Sequence, residues 1–379
     1  MKKVFISHHN IISSLGFTSD ENFKWLSSEV SGIREYKRKN GEPYYSSQVD
    51  KEKIELEFSE IGAIENYTTL EKMMILSVEK ILKVSQLKIT NRTGLIIATT
   101  KGNIDALSPE SKFYSDKKRS YLPELGKQIQ QFFSFENEAI VLSNACVSGV
   151  LALAVAQRFV KDDVYDEVII VSGDLVSEFI LSGFTSFQAI SEQPCKPFSK
   201  NRTGITIGEA VASAIVTSEK KKNSIEIIGA GSCNDANHIS GPSRTGEGLV
   251  LSVQSALKEA NIPAKNIDYI SAHGTATNFN DEMEAVAFSR LNLLAVPMNS
   301  LKGYYGHTLG ASGLLETIIG IKSLQNNILI ASKGFDEIGV SKPINVIETT
   351  TSKELNVFLK TASGFGGCNT AIILKKAAD

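Results

Sequence analysis

The chain has 379 residues, of which 42% are hydrophobic and 22% are charged, and its net charge at neutral pH is −2. This length supports two packed halves of roughly 190 residues each. The balanced charge argues against nucleic acid or an acidic membrane as a partner, and no apolar run approaches the ~18 residues of a membrane-spanning helix, so we expect a cytoplasmic protein.

The first part of the chain alternates apolar runs with segments of helical periodicity. A first strand is predicted within residues 1–12. Apolar strands are then predicted at residues 93–100, 138–143 and 166–173. Helical spacing occurs at residues 68–86 and 147–160. Near-continuous apolar strands are typical of a sheet that helices cover on both faces, so the pattern predicts an α/β fold.

The second part of the chain begins after a charged run at residues 218–224. Its predicted strands are 225–232, 267–274, 296–300, 356–367 and 370–376. Its predicted helices are 251–261, one that begins at about Asp281 and one that follows Gly310. Both parts contain strands interleaved with helices, which suggests a duplicated architecture. We expect the two halves to be residues 1–220 and 221–379.

The four cysteines, Cys146, Cys195, Cys233 and Cys368, are too far apart to form a CxxC pair. The spacing therefore predicts no zinc site and no disulfide framework. Cys146 alone lies between a predicted strand and a predicted helix. The N–H groups and positive end of a helix lower the pKa of a thiol there and favour the nucleophilic thiolate. Cys146 is the candidate nucleophile, and the other three are interpreted as small buried side chains.

Two of the five histidines lie in glycine-containing loops beside predicted elements. His273 ends the predicted strand 267–274, and His307 precedes the helix that follows Gly310. Such loops often carry the chemistry of α/β proteins. One histidine in such a loop is more often structural than catalytic. Two of them, together with Cys146, indicate an active site.

Four segments, in this order, resemble the β-ketoacyl-acyl-carrier-protein synthases of the KAS I/II type: SNACVSG, AHGTATNFND, LKGYYGHTLGASGLLE and SGFGGCNT. The resemblance covers nearly the whole chain. It implies the thiolase-type αβαβα fold, a five-layered sandwich of two pseudo-duplicated halves. It also implies a homodimer, or a heterodimer with a related ketosynthase-like subunit.

The reaction that this resemblance implies is a decarboxylative Claisen condensation. Cys146 would take an acyl group from acyl carrier protein. Malonyl-acyl-carrier-protein would then lose carbon dioxide and attack that group, giving 3-oxoacyl-acyl-carrier-protein. His273 and His307, as neutral imidazoles, would donate hydrogen bonds to the thioester oxygen. No cofactor or metal is implied, and the discrete chain suggests a dissociated fatty-acid or polyene/polyketide pathway.

Further residues receive roles through the resemblance. The backbone N–H groups of Cys146 and Phe365 would form an oxyanion hole. The two glycines beside Phe365 lower the cost of a backbone change, so we also predict that Phe365 acts as a gate. Lys302 and Glu316 match an ion pair that supports the histidines. Asp281 matches a structural acid of the His273 loop.

Several alternatives are open at this stage. A non-catalytic partner subunit like a chain-length factor typically lacks the nucleophile, whereas this chain has Cys146. A thiolase-like acyltransferase would use Cys368 as a second cysteine, but in thiolases that cysteine precedes a glycine run, and Cys368 follows one. The KAS III type has asparagine in place of His307. A cysteine hydrolase would need an orienting acid, which the sequence does not reveal.

Overall fold

The computed structural model of the protein describes residues 2–235 and 241–377. The described strands are β1 (Phe5–Ile12), β2 (Arg34–Lys37), β3 (Pro43–Ser47), β4 (Thr93–Ala98), β5 (Ile140–Leu142), β6 (Glu167–Asp174), β7 (Ile207–Gly208), β8 (Ala210–Thr217), β9 (Ile225–Asn234), β10 (Tyr269–Ser271), β11 (Met298–Asn299), β12 (Ile328–Leu329), β13 (Thr351–Ser352), β14 (Val357–Gly364) and β15 (Cys368–Lys376). The described α-helices are α1 (Ser19–Ser27), α2 (Lys51–Ser59), α3 (Thr69–Ser85), α4 (Leu122–Phe132), α5 (Ser148–Lys161), α6 (Glu178–Ser186), α7 (Glu247–Ala260), α8 (Asn278–Arg290), α9 (Lys302–Tyr305) and α10 (Ser312–Asn326). Among these helices, none combines the length and the apolar composition needed to cross a bilayer.

The predicted strands and helices are present, with shifted boundaries. The strand predicted at 138–143 is shorter and forms β5. Helix α8 begins at Asn278, before the predicted start near Asp281, because the Thr277 side chain caps it by accepting the N–H of Asn280. The segment 267–274 forms β10, and His273 lies just beyond its end.

Two series of five strands repeat one arrangement. Their spatial orders are β1-β8-β6-β4-β5 and β9-β15-β14-β10-β11. In each series the first two neighbouring pairs are antiparallel and the last two are parallel. The series meet where Phe5 pairs with Glu226 and Ile6 pairs with Ile225. The pseudo-duplicated architecture expected from the sequence is therefore confirmed.

The helices complete five layers. Helices α5 and α10 contact strands of both series and so lie between them. Helix α3 contacts β1, β6 and β8 on one outer face, while α7 contacts β9, β14 and β15 on the other. This is the αβαβα sandwich that the resemblance implies.

Strand β6 shows why the predicted strands are apolar throughout. Val168 and Ile170 pack into the central core around α5 and α10. Ile169 and Val171, the alternate residues, pack into the outer core beneath α3. Since neither face of the strand meets water, both sets of positions in residues 168–171 are apolar.

Two glycines allow α5 and α10 to cross with their backbones in contact. A Cβ atom on Gly149 would lie 2.6 Å from the backbone nitrogen of Leu314, and one on Gly313 would lie 2.5 Å from that of Val150. Any side chain at either position would force the helices apart. The close crossing places the N-terminal ends of both central helices side by side, and the loop before each end carries a predicted catalytic residue.

Candidate active site

Cys146 lies in a tight turn between β5 and α5. Ala145, just before it, has a φ of 44°, a left-handed conformation that is strained for a residue with a Cβ atom. Ser148 closes the turn, because its Oγ accepts the N–H of Asn144 at 2.8 Å and donates to the carbonyl of Ala145 at 2.7 Å. The turn holds the sulfur close to the start of α5, as the sequence predicts.

The acidity of this thiol differs from our expectation. Burial, followed by the neighbouring Cys368, raises the pKa of Cys146 to about 12, and the opposing effects of Lys302 and Lys101 are smaller. The predicted lowering of this pKa by the helix end is therefore wrong for the free protein. Helix α5 begins two residues later, at Ser148, and the sulfur itself is almost completely enclosed. The free protein holds this thiol protonated.

Both histidines of the second half meet Cys146 of the first half. The sulfur and one ring nitrogen of each of His273 and His307 all lie within 4.8 Å of one another, and all three residues are buried. The two imidazole rings are 5.2 Å apart between centroids and nearly perpendicular, at 82°. The structure thus brings together the three residues predicted to be catalytic.

Neighbouring donors determine which nitrogen of each imidazole carries its proton. The Lys302 ammonium lies 3.4 Å from Nδ1 of His273, and the backbone N–H of Leu309 donates to Nδ1 of His307 at 3.2 Å. Both groups can only donate, so each Nδ1 accepts and the proton of each neutral ring is on Nε2. Burial, and then Lys302, lowers the pKa of both histidines well below its usual range, so both rings are neutral.

Two buried carboxylates hold the His273 loop. Asp281, a predicted supporting residue, accepts the N–H of Thr275 at 2.9 Å. Glu284, which the sequence analysis missed, accepts the N–H of His273 at 2.8 Å and that of Gly274 at 2.6 Å. Burial, and then Asp281, raises the pKa of Glu284 to about 7. Glu284 lies one helical turn beyond Asp281, so both carboxylates are on the same face of α8. This spacing could have identified Glu284 from the sequence.

An ion cluster lies next to the histidines. Lys302 Nζ is 2.9 Å from Glu316 Oε1 and also donates to the carbonyl of His273 at 2.5 Å. Lys360, which the sequence analysis did not single out, pairs with the other Glu316 oxygen. Burial alone would raise the pKa of Glu316, but Lys302 and Lys360 outweigh it and hold this pKa below its usual range. Lysine inside the apolar strand VFLKTASG was the sequence signal for this cluster.

The His307 loop is fixed from two sides. The backbone N–H of His307 donates to the carbonyl of Thr206 at 2.6 Å, beside β7. Asp174, at the end of β6, accepts the N–H of Gly310 at 2.7 Å and that of Lys101 at 3.1 Å. Asp174 is fully buried and was also missed from the sequence, because it is separated from its partners by many residues.

The glycine-rich loop of Phe365 approaches the turn of Cys146. A Cβ atom on Gly364 would lie 3.1 Å from the nitrogen of Cys146, so glycine permits this approach. Neither the N–H of Cys146 nor that of Phe365 donates to another residue of the described chain. The Phe365 ring packs on Phe184 and Phe187, with centroids 5.6 Å apart in each pair.

A cavity of about 450 Å³ extends from the buried catalytic cluster to the exposed Phe279 side chain. Phe184, Phe187 and Phe365 contribute an aromatic wall, which suits an apolar chain. Thiol and imidazole groups are also zinc ligands, so the cluster could hold a metal by composition alone. Our expectation that no metal takes part stays a prediction.

Comparisons with known proteins agree with this geometry. Residues 2–222 match the family described as "Beta-ketoacyl synthase, N-terminal domain", and residues 224–336 match "Beta-ketoacyl synthase, C-terminal domain". A Schizosaccharomyces pombe protein named as a mitochondrial 3-oxoacyl-[acyl-carrier-protein] synthase is 28% identical, and the match covers 99% of both chains. The 3-oxoacyl-[acyl-carrier-protein] synthase 2 of Rhizobium meliloti is 34% identical over 63% of this chain and 61% of its own. A solved complex of a ketosynthase with its chain length factor, from Xenorhabdus doucetiae, contains a chain that is 26% identical to this one. The two chains superpose with a TM-score of 0.88, and the match covers 99% of this chain and 98% of the chain in the complex.

Proposed function

This chain belongs to the β-ketoacyl synthase family, and we propose that Cys146, His273 and His307 divide a decarboxylative condensation between them. The enzyme is an acyl-transferring condensing enzyme that joins an acyl group to malonyl-acyl-carrier-protein. The observation that supports the division most directly is the buried cluster in which the thiol faces two neutral imidazoles.

Acyl transfer is assigned to Cys146. Its sulfur attacks the carbonyl of an acyl thioester on the carrier protein, and the carrier thiol leaves. The thiol proton of Cys146 ends on the departing carrier sulfur, so the exchange is balanced and needs no external base. The free N–H groups of Cys146 and Phe365 are suited to bind the oxyanion that forms during this attack.

Decarboxylation is assigned to the histidines. The Nε2–H groups of His273 and His307 donate to the thioester oxygen of malonyl-carrier. As the bond to the carboxylate breaks, carbon dioxide leaves and its electron pair forms the enolate, whose oxygen these donors stabilise. The enolate carbon then attacks the acyl carbonyl on Cys146, and the bond from that carbonyl to sulfur breaks. The sulfur leaves as a thiolate and takes up one proton from solvent, which restores the thiol, and the product is 3-oxoacyl-carrier. Neutral imidazoles suit this role because each keeps its proton as a donor.

The partners follow from the family. Acyl carrier protein bears both substrates, in a fatty-acid or polyketide pathway. The second subunit is another copy of this chain or a related ketosynthase-like chain, as in the complex with a chain length factor. A non-catalytic role for this chain is disfavoured because it retains all three residues of the cluster. A thiolase-like role is disfavoured by the match to both synthase domains.

We also propose which part of the chain supplies each catalytic residue and in which compartment the enzyme is located. Residues 1–220 supply the nucleophile, and residues 221–379 supply both histidines. The cytoplasm is our proposed location. All four cysteines are free thiols, which suits a reducing compartment. Fractionation of the source cells, with detection of the intact chain, tests the location.

Two substitutions separate the half-reactions. Cys146→Ala should accept no acyl group and yield no 3-oxoacyl product, yet still release carbon dioxide from malonyl-carrier, because both histidines remain. His307→Ala should still be acylated at Cys146, while decarboxylation should fall by about 10² to 10³, the usual cost of losing one donor to an oxyanion. Intact-protein mass measures acylation, and trapped carbon dioxide measures decarboxylation.

Circular dichroism of both variants provides the folding control. Cys195→Ala is the matched thiol control, because Cys195 is also buried but donates to the Lys302 carbonyl instead of meeting the histidines. It should load acyl groups as the parent does. Decarboxylation at the parental rate by folded His307→Ala would refute the assigned mechanism.

A further inference from the structure

Lys360 is a fully buried cation in the middle of β14. Its main chain pairs with Ser271 of β10 on one side and with Ile372 of β15 on the other. Its ammonium donates to the carbonyls of Ser271 at 3.2 Å and Ala272 at 3.1 Å. The third acceptor is Glu316. Since an ammonium has three donors, all of its hydrogen-bonding capacity is used.

Two of these acceptors belong to the segment that carries His273. Ser271 is the last residue of β10, and Ala272 is the only residue between it and His273. Lys302 holds the next carbonyl, that of His273 itself. Three consecutive carbonyls that lead to the catalytic imidazole are therefore bound by two ammonium groups.

The same two ammonium groups share one carboxylate. Lys302 pairs with Oε1 of Glu316 and Lys360 with Oε2. Within residues 2–235 and 241–377, no other carboxylate forms an ion pair with either lysine. Glu284 is near, but its oxygens accept backbone N–H groups. One cation would suffice to neutralise Glu316, so the cluster of Lys302, Lys360 and Glu316 carries one surplus positive charge when both lysines are protonated.

We infer that Lys360 is a positioning residue for decarboxylation: it fixes the strand end that carries His273 and, with Lys302, supplies surplus positive charge that keeps both imidazoles in the neutral, Nε2–H form. This inference rests on the proposed function. Lys360 itself touches no reacting atom, since its donors end on Glu316 and two carbonyls.

The surplus charge acts on the imidazoles through a medium from which water is excluded, where charge interactions are strong. Lys360 contributes to the lowered pKa of both histidines, after burial and Lys302. Protonation of either ring would place a hydrogen on Nδ1, opposite the Lys302 ammonium or the N–H of Leu309. Both neighbours are donors, so they favour the neutral ring, in which Nδ1 carries no hydrogen.

Other titratable groups also face this region, and the variants below leave them unchanged. These groups lie on the surrounding elements and face the histidines, the ion cluster or the Cys146 thiol. They are Cys146 itself and Cys195, Cys368, Tyr269, Tyr305, Asp174, Asp281, Glu284 and Lys101.

The test is the pH profile of carbon dioxide release from malonyl-carrier by Lys360→Met. Methionine fills a similar volume, and Glu316 keeps its pair with Lys302. Removal of a nearby positive charge raises the imidazole pKa. The acid limb of the profile should therefore move to higher pH, by about one unit. Lys375→Met, which removes an exposed lysine of β15, is the matched charge control and should leave the limb in place.

Acylation of Cys146, measured by intact mass, should be unchanged in Lys360→Met. A merely structural role for Lys360 would lower the rate equally at every pH, and an unmoved acid limb in the folded variant would overturn the inference. If the parent itself neither loads an acyl group nor releases carbon dioxide, it is the proposed function that fails.

Lys360→Gln is the second variant. It retains a donor for the carbonyls and removes only the charge, so it should show the same shift. Circular dichroism defines the pH range in which each variant is folded. If neither variant folds, Lys360 belongs to the folding core alone, and the inference is overturned.

Discussion

At the Cys146 thiol, burial has a larger effect on the pKa than the neighbouring cations Lys302 and Lys101. The helix N-terminus stabilises a thiolate, but enclosure of the sulfur removes the water that would also stabilise it. Cys368 adds to this effect, and the net result is a pKa of about 12. The reactive form is therefore scarce in the free enzyme, and the sulfur is protected until a carrier-bound thioester reaches it.

This acidity predicts the pH dependence of alkylation. The fraction of thiolate rises about tenfold per pH unit below the pKa. The rate at which iodoacetamide modifies Cys146 should therefore climb steadily between pH 7 and pH 10 without a plateau. Intact mass after timed reaction measures the rate, and Cys146→Ser identifies modification at the other cysteines. A plateau near neutral pH would show a lowered pKa and contradict the prediction.

At the scale of single elements, the Phe365 loop connects the catalytic cluster with its cavity. Gly366 has a φ of 81°, which disfavours any side chain, yet a Cβ atom there would meet no atom within 4 Å. A substitution at this position therefore acts through backbone conformation and not through a clash. We predict from the glycines on either side of Phe365 that this residue acts as a gate, and Gly366 provides a way to test that prediction.

Gly366→Val should slow acyl loading of Cys146 by about tenfold, because the strained backbone shifts the loop that supplies an N–H donor and admits the chain. Time-resolved intact mass measures loading. Gly41→Val is the matched control: Gly41 has a φ of 85°, also has open space, and lies in the turn between β2 and β3. Loading at the parental rate by folded Gly366→Val would count against the gate.

The crossing of α5 and α10 is the second element that positions the site. Gly313→Ala should destabilise the protein by about 1–3 kcal/mol, because the new methyl group meets the α5 backbone. Gly183→Ala is the matched control, since Gly183 also lies in a helix, α6, and has open space around it. That variant should gain about 0.5–1 kcal/mol. Urea unfolding measures both, and a Gly313→Ala protein as stable as the parent would contradict the packing argument.

At the scale of the whole molecule, both halves build the same central core. It includes Ile6, Val150 and Val168 from the first half and Ile318 and Phe358 from the second. The catalytic cluster is also built from both halves, because the first half contributes the thiol and the second half contributes the two imidazoles. Loss of either half would therefore remove part of the core and part of the site together.

This shared core predicts one cooperative unfolding transition. Trp25 is the only tryptophan and lies in α1 of the first half, so its fluorescence reports that half. Far-UV circular dichroism reports both halves. The urea midpoints from the two probes should coincide at a fixed protein concentration, as two-state unfolding requires. Separate midpoints would show that the halves unfold independently.

The sequence by itself determined the type and order of the elements that it predicted, together with the three residues of the catalytic cluster. It did not predict helices α1, α2, α4 and α6 or strand β8. Apolar periodicity and glycine-containing loops are local features, and the four motifs lie within short segments. Element boundaries were less certain, as the Thr277 cap of α8 illustrates, because caps depend on single hydrogen bonds.

Only the tertiary structure decided the protonation of those residues and the contacts that hold them. The raised pKa of Cys146 and the Nε2 tautomers of both histidines depend on burial and on donors such as Lys302, which lies 29 residues from His273. Glu284 and Lys360 became relevant for the same reason. Desolvation and charge interactions act through space, and side chains that are remote in the chain become neighbours only when the fold is complete.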